Sequence, residues 1–182
     1  MKTIALYGGS FDPPHIAHVA IVTALSNLDF LDKIIVMPTY LNPFKERFTT
    51  PAELRLEWLK KIFSDFKNVV ISAYEVDKKR KVPTIESVNH LLKEYDKIYV
   101  VIGADNLASL HKWERYNELK NKVNFIVATR DNIEIPKDFI QLKIDEDISS
   151  SELRENLEIT KLPKQCADEI AHYYKEHNAK KN

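Results

Sequence analysis

Two histidines three residues apart, His15 and His18, stand behind Gly8-Gly9-Ser10-Phe11-Asp12-Pro13-Pro14. In that order the residues suit a polyphosphate. Histidines at i and i+3 share one helix face, and a helix N-terminus offers unpaired amide hydrogens to an anion. Pro13 and Pro14 suit such a start, where a missing N–H costs nothing. The glycines are expected to let the backbone bend sharply and approach a ligand closely. A zinc site is disfavoured, because the helical metal pair is spaced i, i+4 with a glutamate between. A dinucleotide fingerprint is disfavoured too: the third glycine is missing, and the second apolar run ends in Pro38-Thr39 without a ribose-binding acid.

The elements that must position these residues follow from the hydrophobic pattern. Short apolar runs predict strands over 3–7, 33–37, 69–72, 97–102, 124–128 and 139–142. Longer amphipathic stretches predict helices over 14–27, 51–63, 84–94, 107–119, 149–155 and 163–177. Ile98 to Ile102 is continuously apolar, as expected of a central strand covered on both faces. The alternation predicts an α/β fold: a doubly wound, mainly parallel sheet of about six strands with helices on both faces. We expect one domain over 1–182, with a C-terminal helical part from about 149 packed on the core.

Composition narrows the partners. Lysine plus arginine equals aspartate plus glutamate at 27 each in 182 residues, so no excess positive field points to nucleic acid. Cys166 is the only cysteine, which excludes an internal disulfide and suits a reducing cytosol. No stretch reads as a signal peptide or membrane span. A cytoplasmic protein without a membrane or nucleic-acid partner is expected, and self-association into a homo-oligomer is left open.

Ligands of a doubly wound sheet bind at the carboxyl ends of its strands. There the fourth run delivers Gly103-Ala104-Asp105, with Asp105 either a ribose ligand or a helix N-cap. The second places Lys45 in the loop Asn42-Pro43-Phe44-Lys45, as a cation overhanging the same edge or a solvated lysine. Near the C-terminus, Ser149-Ser150-Ser151-Glu152-Leu153-Arg154 repeats the logic of the opening segment: serines capping a helix start, and a forked guanidinium within a turn. The plainer alternative pairs Arg154 with Glu158 on the surface. Asp77-Lys78-Lys79-Arg80-Lys81 reads as a mobile solvated loop, with a part in holding the ligand as the alternative.

Gly8-Gly9-Ser-Phe-Asp-Pro-Pro-His15-Ile-Ala-His18 together with Ile148-Ser-Ser-Ser-Glu-Leu-Arg154 resembles the paired H-x-G-H and I-S-S-x-x-[IL]-R signatures of the nucleotidyltransferase superfamily. Gly103-Ala-Asp105-Asn-Leu-Ala-Ser-Leu-His-Lys-Trp113 is similar to a segment typical of the bacterial nicotinate-nucleotide adenylyltransferase family, and the similarity extends over most of the chain. The resemblance implies adenylyl transfer from ATP to nicotinate mononucleotide, giving nicotinate adenine dinucleotide and pyrophosphate, with Mg2+ carried by the ATP phosphates. It implies catalytic roles for His15, His18 and Arg154. ATP binding would further involve Gly8, Gly9, Ser10, Phe11, Gly103, Asp105, Ser149 and Ser150, and the mononucleotide would meet Lys45, Thr84 and Trp113. No separate metal ligands are implied. Ala17 stands where the pattern has glycine, Phe44 where histidine is usual, and Pro83 where an aromatic is frequent. Phosphopantetheine adenylyltransferase is the alternative: it shares the glycine segment and the serine-rich helix start but has threonine at the position of His15.

Overall fold

The computed structural model describes residues 1–44, 46 and 49–181. Six strands, β1 (Thr3–Gly9), β2 (Lys33–Pro38), β3 (Val69–Ile71), β4 (Lys97–Gly103), β5 (Asn124–Ala128) and β6 (Ile140–Leu142), form one sheet in the order β3-β2-β1-β4-β5-β6. Every neighbouring pair is parallel. The order reverses between β1 and β4, where Tyr7 lies opposite Val36 on one side and Val101 on the other. Helices leave in opposite directions at such a point, so a crevice opens at the strand ends.

Alternate residues of the central strands serve two separate cores. Ala5, Tyr7, Ile34, Val36, Tyr99 and Val101 face one way. There they meet α1 (Ile16–Ser26), α2 (Ala52–Ile62) and α7 (Ala167–Lys181), which contribute Val22, Trp58 and Tyr174 among others. Ile4, Leu6, Ile35, Met37, Ile98 and Val100 face the opposite way, against α4 (Thr84–Leu91) and α5 (Tyr116–Lys122). The unbroken apolar run in β4 is thereby explained, because both faces are dry.

Two stretches depart from the sequence reading. The helix expected over 107–119 is a 3-10 helix, Ala104–Lys112, followed by α5, with Arg115 at φ 53° between them. Leu107, Leu110 and Trp113 meet the same core at a spacing of three, the 3-10 period, and the left-handed turn at Arg115 resets the phase so that Tyr116 and Leu119 of α5 reach that core too. The stretch 77–81, expected as a loop, begins inside a short helix, α3 (Tyr74–Lys78). Lys79 then turns at φ 53°, and Arg80 grips Glu86 of α4 through two hydrogen bonds of 3.1 and 2.5 Å. Among the described residues, no helix is long and apolar enough to cross a membrane.

Candidate active site

A cavity of about 660 Å³ lies at the carboxyl ends of the strands, lined by the residues after β1, β4 and β5 and by the start of α6 (Ser150–Glu155). Its volume falls in the usual range for small-molecule sites. Gly8, Gly9, Ser10 and Phe11 form one wall. The glycines do not make the bend, contrary to the sequence reading: they continue β1, paired with Met37 and Pro38, and neither has a positive φ. The bend falls on Phe11, at φ 49°. Phe11 is buried and sets its ring edge-on against His18, with centroids 4.8 Å apart.

His15 is the N-cap of α1 and His18 its third residue, so the helix starts two residues later than expected. The two rings stack at 3.6 Å with 18° between planes. The His15 backbone N–H donates to His18 Nδ1 at 3.1 Å. That bond fixes the tautomer: neutral His18 carries its proton on Nε2. Burial, reinforced by the Arg130 charge, pushes His15 down to about 3, and burial, His15 and Arg130 hold His18 well below the usual imidazole range. Both rings are therefore held neutral at physiological pH, each with one ring N–H to donate. Imidazole NMR should show both uncharged at pH 5.5, with an Nε2–H tautomer for His18; a protonated ring at that pH would contradict this. Ala17, between them, is buried and lines the cavity.

The C-terminal segment meets the histidine turn directly. Ser149 caps α6 by accepting the Glu152 N–H at 3.1 Å. Ser150 Oγ donates to the Pro13 carbonyl at 2.9 Å, and Arg154 donates to the Asp12 carbonyl at 2.5 Å and to Ser151 Oγ at 3.2 Å. Arg154 thus turns inward, and Glu158, its alternative partner, pairs with Lys161. The Asp12 carboxylate, buried, accepts from the Thr49 N–H at 2.9 Å and from the Tyr174 hydroxyl of α7.

Arg55, in α2, ties the surrounding backbone together, and the sequence reading missed it. Only 1% exposed, its guanidinium donates to the carbonyls of Thr50 at 3.0 Å, Ser10 at 2.6 Å, Thr39 at 2.9 Å and Tyr40 at 3.0 Å. Planar forked geometry allows one side chain to satisfy several carbonyls in this way. An amphipathic helix with a single arginine on its buried face was the available signal.

Across the crevice, Gly103 caps the 3-10 helix, so Asp105 is not the N-cap. A Cβ on Gly103 would come within 2.5 Å of Asp105 Oδ1, which makes glycine the condition for this carboxylate position. Asp105 faces Arg130 at 3.8 Å. Arg130 follows β5 and lines the cavity; the strand-end rule that selected Asp105 selects it equally. Thr84, at the start of α4, and Trp113 line the same cavity. Trp113 is half-buried, packs against the second core and lines the cavity. Lys45 lies outside the described residues. Among the described residues, no group of three histidine, cysteine or acidic side chains could hold a metal ion.

A strand-end crevice with neutral histidines, a serine-capped helix start and an inward arginine is the architecture of an α/β nucleotidyltransferase. The cytidylyltransferase-like family model matches residues 6–156, and the chain belongs to that family. A probable nicotinate-nucleotide adenylyltransferase of Sulfurimonas denitrificans is 59% identical over 99% of both chains, and one of Campylobacter fetus is 47% identical over 97% of this chain and 99% of its own. Within the family, this chain groups with these nicotinate-nucleotide adenylyltransferases. The fold matches Plasmodium falciparum nicotinic acid mononucleotide adenylyltransferase complexed with NaAD, with a TM-score of 0.78 at 24% identity over 96% and 98% of the two chains.

Proposed function

We propose that this chain transfers the adenylyl group of ATP to nicotinate mononucleotide, releasing pyrophosphate. The observation that carries the reading is the meeting of the histidine turn with the Ser150 and Arg154 donors at the switch point of the sheet. A phosphate oxygen of the mononucleotide attacks the α-phosphorus. The bond from that phosphorus to the bridging oxygen breaks, and pyrophosphate leaves with the electron pair. The attacking oxygen is already ionised near neutral pH, so no side chain has to remove a proton. What the site must supply is alignment and positive potential where negative charge develops.

In this reading His15 and His18 donate to the ATP phosphates beside Gly8, Gly9, Ser10 and Phe11. Ser149, Ser150 and Arg154 hold the departing pyrophosphate, while Gly103 and Asp105 take the adenosine ribose. ATP enters as its Mg2+ complex, in which the ion neutralises phosphate charge. Neutral imidazoles, hydroxyls and a guanidinium suit the phosphates, whereas hard cations prefer oxygen cages. Trp113 stacks on the pyridine ring, and Lys45 remains a candidate for the acceptor phosphate. Thr84 presents the amides of the α4 N-terminus to the nicotinate carboxylate, a partner favoured there over a neutral carboxamide.

The test is pyrophosphate release from Mg2+ and ATP with nicotinate mononucleotide, its amide analogue, phosphopantetheine or no acceptor. We expect turnover with the two pyridine mononucleotides only, and higher kcat/KM for the acid. Equal efficiency for acid and amide would remove the role of Thr84, and turnover with phosphopantetheine alone would overturn the function.

A further inference from the structure

One buried acid beside the acceptor end of the cavity has no part in the chemistry described so far. Glu75, in α3, is 6% exposed. Its Oε1 accepts from Ser87 Oγ at 2.7 Å, and its Oε2 is buried without a hydrogen-bond partner. Glu75 lines the cavity with Val82, Pro83 and Thr84. Ser87 lies three residues after Thr84, so this carboxyl is anchored about one turn into the helix whose N-terminus is proposed to receive the nicotinate carboxylate.

We propose that Glu75 is a specificity-determining residue: uncharged, it tolerates a carboxylate at the start of α4; ionised, it repels that carboxylate and erodes the preference for the acid-form mononucleotide. The inference rests on the reading of Thr84 given above. The surroundings favour the uncharged form. Burial pushes Glu75 up to about 7, opposed by the Ser87 hydrogen bond and reinforced by the negative charge of Glu86. Glu86 is itself held by Arg80. On its own helix, Tyr74 stacks on His90 of α4, and Lys78 lies over the Tyr74 ring. β2, which α3 packs against, has only Lys33, at its far end, as a charged residue.

The experiment compares wild type with Glu75→Gln, which keeps the shape and an oxygen for Ser87 while removing the charge. Between pH 6 and 8.5, kcat/KM is measured with the acid and the amide mononucleotide. Both substrates carry the same phosphate, so its titration cancels in their ratio, and the nicotinate carboxylate stays ionised throughout. In wild type the acid-to-amide ratio should fall about tenfold as pH rises, the size expected of like charges about a turn apart in a partly solvated cleft. In Glu75→Gln the ratio should stay level. A similar fall in both proteins, or a level wild-type ratio with the acid still preferred, overturns the inference alone. No acid preference at pH 6 in either protein overturns the Thr84 reading and this inference with it.

Thermal unfolding gives a second readout. An acid whose folded pKa lies above its unfolded value loses its contribution to stability as pH rises from the unfolded to the folded value. Glu75→Gln should therefore gain Tm relative to wild type between pH 5 and 8. An unchanged difference would show that the carboxyl is not held uncharged, and would overturn the proposal.

Discussion

His18→Ala lowers turnover by about two to three orders of magnitude, the usual loss on removing one oriented donor to developing charge. The geometry argues for the upper part of that range. His18 Nδ1 is occupied by the His15 backbone N–H, so its only free donor is Nε2–H. The ring is buried, stacked on His15 and braced by Phe11, so the donor needs no reorganisation as charge develops. Because His18 is held neutral by burial and its neighbours, the loss should appear in kcat at every pH from 6 to 8. The variant should remain folded, with circular dichroism and a cooperative unfolding transition like those of wild type. A folded His18→Ala enzyme with near-normal kcat would end the assignment.

Arg55→Met destabilises the protein by about 3–5 kcal/mol, the cost of breaking a buried charged network by removing one partner. Four carbonyls in three chain segments lose a donor at once, and methionine fills the volume without replacing any bond. For a chain of this size the change lowers Tm by roughly 10 °C. KM for ATP should rise as well, since Ser10 belongs to the cavity wall. Arg55→Lys should recover only a minor part of the stability, because an ammonium lacks the planar fork. Urea unfolding and steady-state kinetics measure both effects, and a Tm within 2–3 °C of wild type would show that solvent or relaxation satisfies the carbonyls.

The sheet was legible because it is buried on both faces, so its strands are short unbroken apolar runs. The segment 107–119 reads as one α-helix although Leu110 and Leu119, nine residues apart, would fall on opposite faces at 3.6 residues per turn; the left-handed turn at Arg115 is what brings both to the same core. Gly8 and Gly9 were read through their conformational freedom, yet an extended strand needs none, and the left-handed position fell to Phe11. His15, His18, Ser150 and Arg154 were visible because their types and spacing carry chemistry. Arg55 and Glu75 were not: a charge on a buried helix face looks like any surface charge until the fold closes over it.

The contacts that complete the histidine turn span most of the chain: 142 residues separate Arg154 from Asp12, and 162 separate Tyr174 from Asp12. A ribosome delivers the turn first and its supports last. A nascent chain that has already paired β1 with β2 still lacks the guanidinium, the serine hydroxyls and the phenol that hold the turn in shape. Competence to handle ATP therefore arrives late in synthesis, when α7 docks. Incomplete chains carry the first signature without the means to use it.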